Sequence, residues 1–105
     1  MGLPQEEKSQ SILENEKIIT ELNTILSQIN AKKIKVNEIL FYLVQMYRKV
    51  TNPDFKKIFP KDENEIGEKL LNIIKGRGGI NEPEDFIISL TSTKTEVERY
   101  IEKIK

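Results

Sequence analysis

A chain of 105 residues, 37% hydrophobic and 32% charged, is long enough for one domain with a modest core and a heavily charged surface. It has no cysteine and no histidine, which excludes disulfides, thiolate or imidazole metal sites, and catalysis by either residue. Lysine plus arginine equals aspartate plus glutamate at 17 each, so attraction to a polyanion requires local clustering of cations.

No catalytic, cofactor or membrane pattern is present in the sequence. No apolar run approaches the ~20 residues of a membrane span, and no apolar signal-peptide region precedes the first helix. The carboxylates of Asp62, Glu63, Glu65 and Glu68 fall where a helix N-terminus favours negative charge. We therefore expect a cytoplasmic, non-enzymatic protein with no metal, no cofactor and no small-molecule substrate.

Cations are concentrated in residues 32–61, where eight basic residues face two acidic ones, a net charge of +6. Such local cation density is typical of phosphate binding. We assign this role to five side chains of the block: Lys32, Lys33, Lys35, Arg48 and Lys49. The alternative is that these residues only keep a helical surface soluble.

The first helix is predicted from Ser11, with Glu14 completing a capping box, after a disordered segment 1–10. Ile12, Ile19 and Leu26 recur every seven residues, Leu22 and Ile29 take the intervening heptad positions, and Ile18 and Ile25 widen the stripe. This broad stripe favours a helix packed in a bundle core. A homodimeric coiled coil is the alternative, with the polar Asn15 in its seam.

A second helix is predicted from an N-cap at Asn37, preceded by Val36, to about Val50, before Asn52 and Pro53 end it. Residues 39–47 are apolar on nearly every face, as expected at the centre of a domain or in an oligomer interface. We predict core packing for Phe41, Tyr42 and Tyr47; a platform for stacking bases is the alternative use of these rings.

The apolar surface of this helix exceeds what one stripe can bury, so we predict a homodimer or a complex with a larger protein. The predicted interface residues come from the first two helices: Leu22, Ile29, Phe41, Val44 and Tyr47.

The segment 54–59 fits a single helical turn, and Asp62 with Glu65 fits the cap of a third helix whose apolar face is Ile66, Leu70, Ile73 and Ile74. Gly76 is expected in the left-handed conformation that commonly ends a helix. The glycine-rich residues 76–79 read as a helix stop and turn, because they lack the Gly-Lys-Ser/Thr ending of a phosphate-binding loop.

The last quarter is predicted as two helices around a polar turn. Asn81 and Glu84 cap the first, with Pro83 in its opening turn, and it runs from Glu82 to Leu90. Residues 91–93 form the turn, and Thr93 with Glu96 caps a final helix. The final helix buries Val97, Tyr100, Ile101 and Ile104, and it exposes Lys94, Thr95, Glu98, Arg99 and Glu102.

Residues 70–104 resemble the helix-turn-helix of winged-helix regulators such as the MarR and CRP families. Their run Leu-x-x-x-x-Gly-x-Ser-x-x-Thr-Val-x-Arg-x-Leu aligns without a gap, with Thr93 at the Ser, Val97 at the Val and Arg99 at the Arg. The resemblance implies a recognition helix with Lys94, Thr95 and Arg99 facing bases or phosphates. The same apolar spacing also fits a small helical bundle with short turns.

The sequence thus predicts an all-α fold: a small helical bundle with one domain over residues 11–105, comprising two helices in 11–50 and a three-helix, helix-turn-helix-like unit in 62–105. The leading functional hypothesis is a nucleic-acid-binding (most simply DNA-binding) or nucleoprotein-assembly protein. The alternative is a protein-interaction subunit or adaptor that uses its apolar central helix.

Overall fold

The structure, a computed structural model, describes residues 5–53, 64–76 and 82–105, with the side chains of residues 64 and 65 not described. These ranges contain four α-helices and no strand. The helices are α1 (Gln5–Asn30), α2 (Val36–Thr51), α3 (Asn64–Lys75) and α4 (Ile87–Ile104), and a 3-10 turn at Pro83–Phe86 precedes α4. The predicted all-α fold is confirmed.

Helix α1 begins at Gln5, six residues before the predicted cap at Ser11. The predicted disorder is therefore wrong for residues 5–10, and residues 1–4 lie outside the described ranges. Glu6 and Glu7 occupy the first turn, where the helix dipole favours carboxylates. Ser11 is completely buried inside the helix, so it continues the core stripe instead of capping it.

A Schellman turn ends α1 and holds the basic connector in one conformation. The N–H of Lys33 donates to the carbonyl of Gln28 at 2.9 Å, and the N–H of Lys32 to that of Ile29 at 3.0 Å. Lys32 has a φ of 58°, the left-handed conformation that this motif requires and that glycine usually supplies. Ile34 is buried two residues later, which anchors the connector to the core.

Helix α2 begins at Val36 with Lys35 as its N-cap, two residues before the predicted Asn37. The Glu38 carboxylate accepts a 3.1 Å hydrogen bond from the Lys35 backbone N–H, which explains why an asparagine cap is not needed. At the other end, Asn52 is extended ahead of Pro53, as predicted.

Helix α3 carries the predicted apolar face, with Ile66, Leu70 and Ile73 buried. Gly76 does not adopt the predicted left-handed conformation; it continues α3 as a single 3-10 residue with a negative φ. The predicted helical turn at 54–59, the cap at Asp62 and Glu65, the cap residue Asn81 and the rest of the glycine-rich segment lie outside the described residues or side chains.

The predicted turn at residues 91–93 is wrong, because α4 is continuous from Ile87 to Ile104. The predicted helix 82–90 is instead a 3-10 turn leading directly into α4. Thr93 is buried within α4, and its hydroxyl donates to the Ser89 carbonyl at 2.9 Å, which satisfies the side chain without ending the helix. The buried residues Leu90, Thr93 and Val97 keep the three-to-four spacing of one helix face straight through the predicted turn.

The core lies where α1 packs along α4, α2 packs along α3, and α3 meets α4. Leu22, Leu43, Leu70, Leu90 and Val97, from all four helices, are completely buried in it. The predicted bundle packing of α1 is thus confirmed. The packing leaves the outer face of α2 and the α1–α2 connector on the surface, and both belong to the candidate site.

Candidate nucleic-acid interface

The five predicted phosphate-binding residues of the basic block do not form a single patch. Lys32, Lys33 and Lys35 lie at the N-terminal end of α2, whereas Arg48 and Lys49 lie in its last turns. At 1.5 Å per residue, the 13 positions from Lys35 to Arg48 correspond to about 20 Å along the helix. The predicted phosphate-binding residues therefore divide into two separate groups.

Lys49, in the second group, is already paired within the fold. Its ammonium nitrogen lies 2.7 Å from Oε2 of Glu14, a residue of α1 whose side chain is only 8% exposed. The hydrogen bond from Lys49 lowers the pKa of the Glu14 carboxyl despite partial burial, and Lys17 adds to the effect from 3.3 Å. Lys49 is thus a structural cation that ties α2 to α1.

The lysines of the connector have a different electrostatic setting. Lys32, Lys33 and Lys35 are exposed, and none forms an ion pair with a carboxylate in the described ranges. The nearest acidic residue along the chain is Glu38, which caps α2 through the Lys35 N–H. The N-terminal end of α2 adds the positive end of its helix dipole. We call Lys32, Lys33 and Lys35 the lysine turn.

Helix α4, predicted as the recognition helix, does not present a cationic face. Its three basic residues are matched by three glutamates. Lys94 and Arg99 are five residues apart, which separates them by about 140° around the axis. Arg99 pairs with Glu96 at 3.6 Å, and the Thr95 hydroxyl donates to the Thr91 carbonyl at 3.0 Å.

Three glutamates line the groove between α4 and α1. This open groove of about 490 Å³ is bordered by Glu16, Glu98 and Glu102, by Lys105, and by the uncharged Ile19, Thr20 and Ile101. Carboxylates at these positions repel a phosphate backbone. The structure therefore does not bring the sequence-predicted residues of α4 and of the basic block into one site.

Two of the predicted interface residues belong to the core of the single chain. Leu22 and Ile29 are buried against neighbouring helices, so they are not available to a second molecule and their assignment was wrong. Tyr47 and Val44 are partly buried, with Tyr47 packed against the core. Phe41 alone among the five is strongly exposed, at 60%.

Phe41 and Tyr42 form an exposed aromatic pair, contrary to the predicted core packing of these rings. Tyr42 is 40% exposed, and the two ring centroids lie 5.8 Å apart at an interplanar angle of 73°, an edge-to-face contact. The core side of α2 is set by Ile39, Leu43, Met46 and Val50. A projection at 100° per residue puts Phe41 almost opposite that side, a signal that the sequence already contained.

The aromatic pair and the lysine turn occupy the same end of α2. Phe41 lies six positions after Lys35, about 9 Å along the axis. Lys35 thus precedes Phe41 by less than two helical turns, and both residues are exposed.

The described ranges contain no group of three or more acidic side chains arranged to hold a metal ion. None of their helices combines the length and apolarity needed to cross a lipid bilayer.

Comparison with known proteins identifies no relative of this chain. No protein-family model, no curated protein and no solved structure matches it significantly. The functional assignment therefore rests on the residues and the geometry described above.

Proposed function

We propose that this protein binds nucleic acid through phosphate contacts from the lysine turn, without enzymatic activity. The observation that supports the proposal most strongly is the exposure of Lys32, Lys33 and Lys35, three cations within four residues that have no carboxylate partner among the described residues. Three such charges on a conformationally fixed turn concentrate positive potential at the N-terminal end of α2, in a chain with no net charge.

The size of this site sets the expected binding strength. Each phosphate that a lysine neutralises releases bound counterions and makes the slope of log affinity against log salt more negative by about 0.7 to 0.9. Three phosphate contacts therefore give a slope of about −2 to −3. Binding of this kind is independent of sequence, since phosphate contacts position a protein without reading bases. A role in coating or assembling nucleic acid fits this property better than recognition of an operator.

Major-groove reading by α4 is the other mode that the helix-turn-helix resemblance implies. The balanced charge of α4 and its uninterrupted course favour the lysine turn as the binding site. The two modes predict opposite effects for two sets of variants.

Fluorescence anisotropy with a labelled oligonucleotide at low salt tests the proposal. Replacement of Lys32, Lys33 and Lys35 by Gln should lower affinity at least tenfold and flatten the salt slope by about 2 to 3. The control is Lys94→Gln with Arg99→Gln, which also removes cations but should leave affinity within about twofold, since these residues lie among three glutamates.

A wild-type protein with no measurable affinity at low salt would refute nucleic-acid binding. If only the variant with Lys94→Gln and Arg99→Gln lost affinity, the binding site would lie on α4 and not on the lysine turn. Glu38→Gln provides a third arm, because removal of the carboxylate nearest the turn should tighten binding.

The second candidate function is a protein-interaction subunit, supported by the exposed Phe41 and Tyr42 and the partly buried Val44 of α2. Light scattering over a range of concentrations tests homodimerisation directly. A mass that rises from about 12 kDa towards twice that value, and falls again in Phe41→Ser, would support this function over the first.

A further inference from the structure

We infer that Phe41 and Tyr42 stack against nucleic-acid bases, which makes the ligand of the lysine turn a single-stranded rather than a duplex nucleic acid. The inference rests on the proposed function, and it adds the class of nucleic acid and a second set of contacts. It starts from the joint presence, at one end of α2, of unpaired cations and of two exposed aromatic rings.

The position of Phe41 has no explanation in the fold. The residue lies on the side of α2 opposite Ile39 and Leu43, and its ring meets the ring of Tyr42 at an interplanar angle of 73°. Leaving a phenylalanine 60% exposed forgoes the burial energy that comparable residues of this chain, such as Phe86, obtain in the core. A ligand that covers the ring accounts for this exposure.

The size of the patch favours bases over a protein partner. The exposed parts of Phe41 and Tyr42 amount to about 200 Å² if full side chains span 150–250 Å². A stable protein interface needs about 800 Å² on each partner. The exposed neighbours on the outer side of α2 are polar: Asn37, Glu38, Gln45 and Arg48. Two rings of this area are enough to stack one or two bases.

Stacking of this kind distinguishes single strands from duplexes. Bases within a duplex are stacked on one another, so a ring on a convex helix surface reaches them only after the strands separate. Single-stranded binders combine a cationic track for phosphates with aromatic platforms for bases, and every base has a face that can stack. Phosphates on the lysine turn and bases on Phe41 and Tyr42 satisfy both requirements within about 9 Å of helix.

The test measures anisotropy with oligodeoxythymidylate of about 12 nucleotides and with a duplex of equal length. The wild type should prefer the single strand, and Phe41→Ala should weaken single-strand binding by about tenfold or more. Duplex binding should change by less than twofold. Tyr42→Phe should retain affinity, because the ring and not the hydroxyl makes the contact, whereas Tyr42→Ala should lose it. Ile88→Ala is the matched control, since Ile88 is an 84% exposed apolar residue on another helix.

A second readout separates stacking from mere proximity. The chain has no tryptophan, so Phe41→Trp introduces a unique fluorophore at the site. Indole stacked on a base should be quenched on addition of oligodeoxythymidylate, and the quenching should saturate together with the anisotropy signal.

The outcomes distinguish failure of this inference from failure of the proposed function. Equal affinity for the two oligonucleotides, with Phe41→Ala unchanged and Phe41→Trp unquenched, overturns stacking and leaves phosphate binding intact. Absence of binding to either overturns both. If Phe41→Ala lowers the mass of a dimer and leaves oligonucleotide affinity unchanged, the pair is a protein interface and the inference is wrong.

Discussion

The α1–α2 connector and helix α4 carry the same kinds of cation in opposite settings. In α4, three glutamates balance three basic residues, and Arg99 is paired with Glu96 at 3.6 Å. In the connector, Lys32, Lys33 and Lys35 are exposed and have no ion pair in the described ranges. A chain without net charge can thus carry local positive charge where no carboxylate compensates it.

The two regions also differ in how they use apolar residues. The apolar face of α4 continues the spacing of a single helix and is buried along most of its length. Helix α2 buries four residues and leaves Phe41 and Tyr42 outside. The buried face of α4 is thus accounted for by packing, although Ile88 near its start is 84% exposed, whereas α2 places two neighbouring aromatic rings on its outer side.

The largest loss of stability is expected for substitutions of Leu22 and Ile29, which lie in the core and not in an interface. Leu22→Glu with Ile29→Glu should unfold the protein, because two carboxylates in the centre of the bundle have no partner to offset desolvation. Circular dichroism checks this outcome. Leu13→Glu, on the same helix but 48% exposed, should remain folded. If the double variant were a folded monomer, Leu22 and Ile29 would belong to an interface and not to the core.

The continuity of α4 is open to a direct test at Ser92, an exposed residue in the middle of the predicted turn. Ser92→Pro should lower the free energy of unfolding by about 3 kcal/mol or more, since proline breaks a helix interior. Ser92→Ala controls for the loss of the 3.4 Å contact between Lys69 and the serine hydroxyl, and it should be near neutral. An unchanged stability of Ser92→Pro would contradict a continuous α4 and would support a turn at residues 91–93.

A smaller loss of stability is expected when Lys49 of the basic block loses its carboxylate partner Glu14. Glu14→Gln should lower the free energy of unfolding by about 1–2 kcal/mol at neutral pH, because it removes a charged hydrogen bond to Lys49. The pKa of Glu14 is lowered in the fold, so its contribution is present above the ordinary carboxyl pKa and is lost as pH falls through the folded value. Urea unfolding at several pH values should show the two proteins converging in acid. A difference that is constant with pH would contradict the assigned pair.

The smallest effect concerns the backbone of the lysine turn. Lys32→Gly should raise the free energy of unfolding by about 0.5–1 kcal/mol, since glycine adopts the left-handed conformation without the penalty that a side chain incurs. It should also weaken nucleic-acid binding slightly by removing one cation. Lys33→Gly, at a position without positive φ, removes the same charge without the stabilisation. Thermal denaturation of the pair separates the two effects.

Much of the fold follows from local patterns in the sequence. Most residues of the two predicted stripes are buried: Ile18, Leu22, Ile25 and Ile29 in α1, and Ile66, Leu70 and Ile73 in α3. Four others of the same stripes are only partly buried against the core: Ile12, Ile19, Leu26 and Ile74. Pro53 marks the end of α2 as predicted. These features are readable because apolar spacing and proline geometry act within one helix.

The incorrect predictions of helix ends occur where a polar residue takes a buried position in an otherwise apolar stripe. Ser11 and Thr93 resemble caps, yet both are buried on the core face of a longer helix. The hydroxyls of Thr93 and Thr95 donate to the carbonyl four residues earlier, so these polar side chains have hydrogen-bond partners inside a helix. Helix propensities do not include this hydrogen bond, and they therefore favour a turn or a cap at such residues. The candidate site was only half predictable. The lysines follow from composition, whereas the pairing of Lys49 with Glu14 is a tertiary contact between α1 and α2.

The central claim is the location of the ligand, and amide chemical shifts measure it residue by residue. In a titration of isotopically labelled protein with oligodeoxythymidylate, the largest shifts should fall between residues 32 and 42, covering the lysine turn, Phe41 and Tyr42. Residues 94–103 should remain within the noise. Shifts concentrated on Lys94, Thr95 and Arg99, with the lysine turn unaffected, would contradict the account.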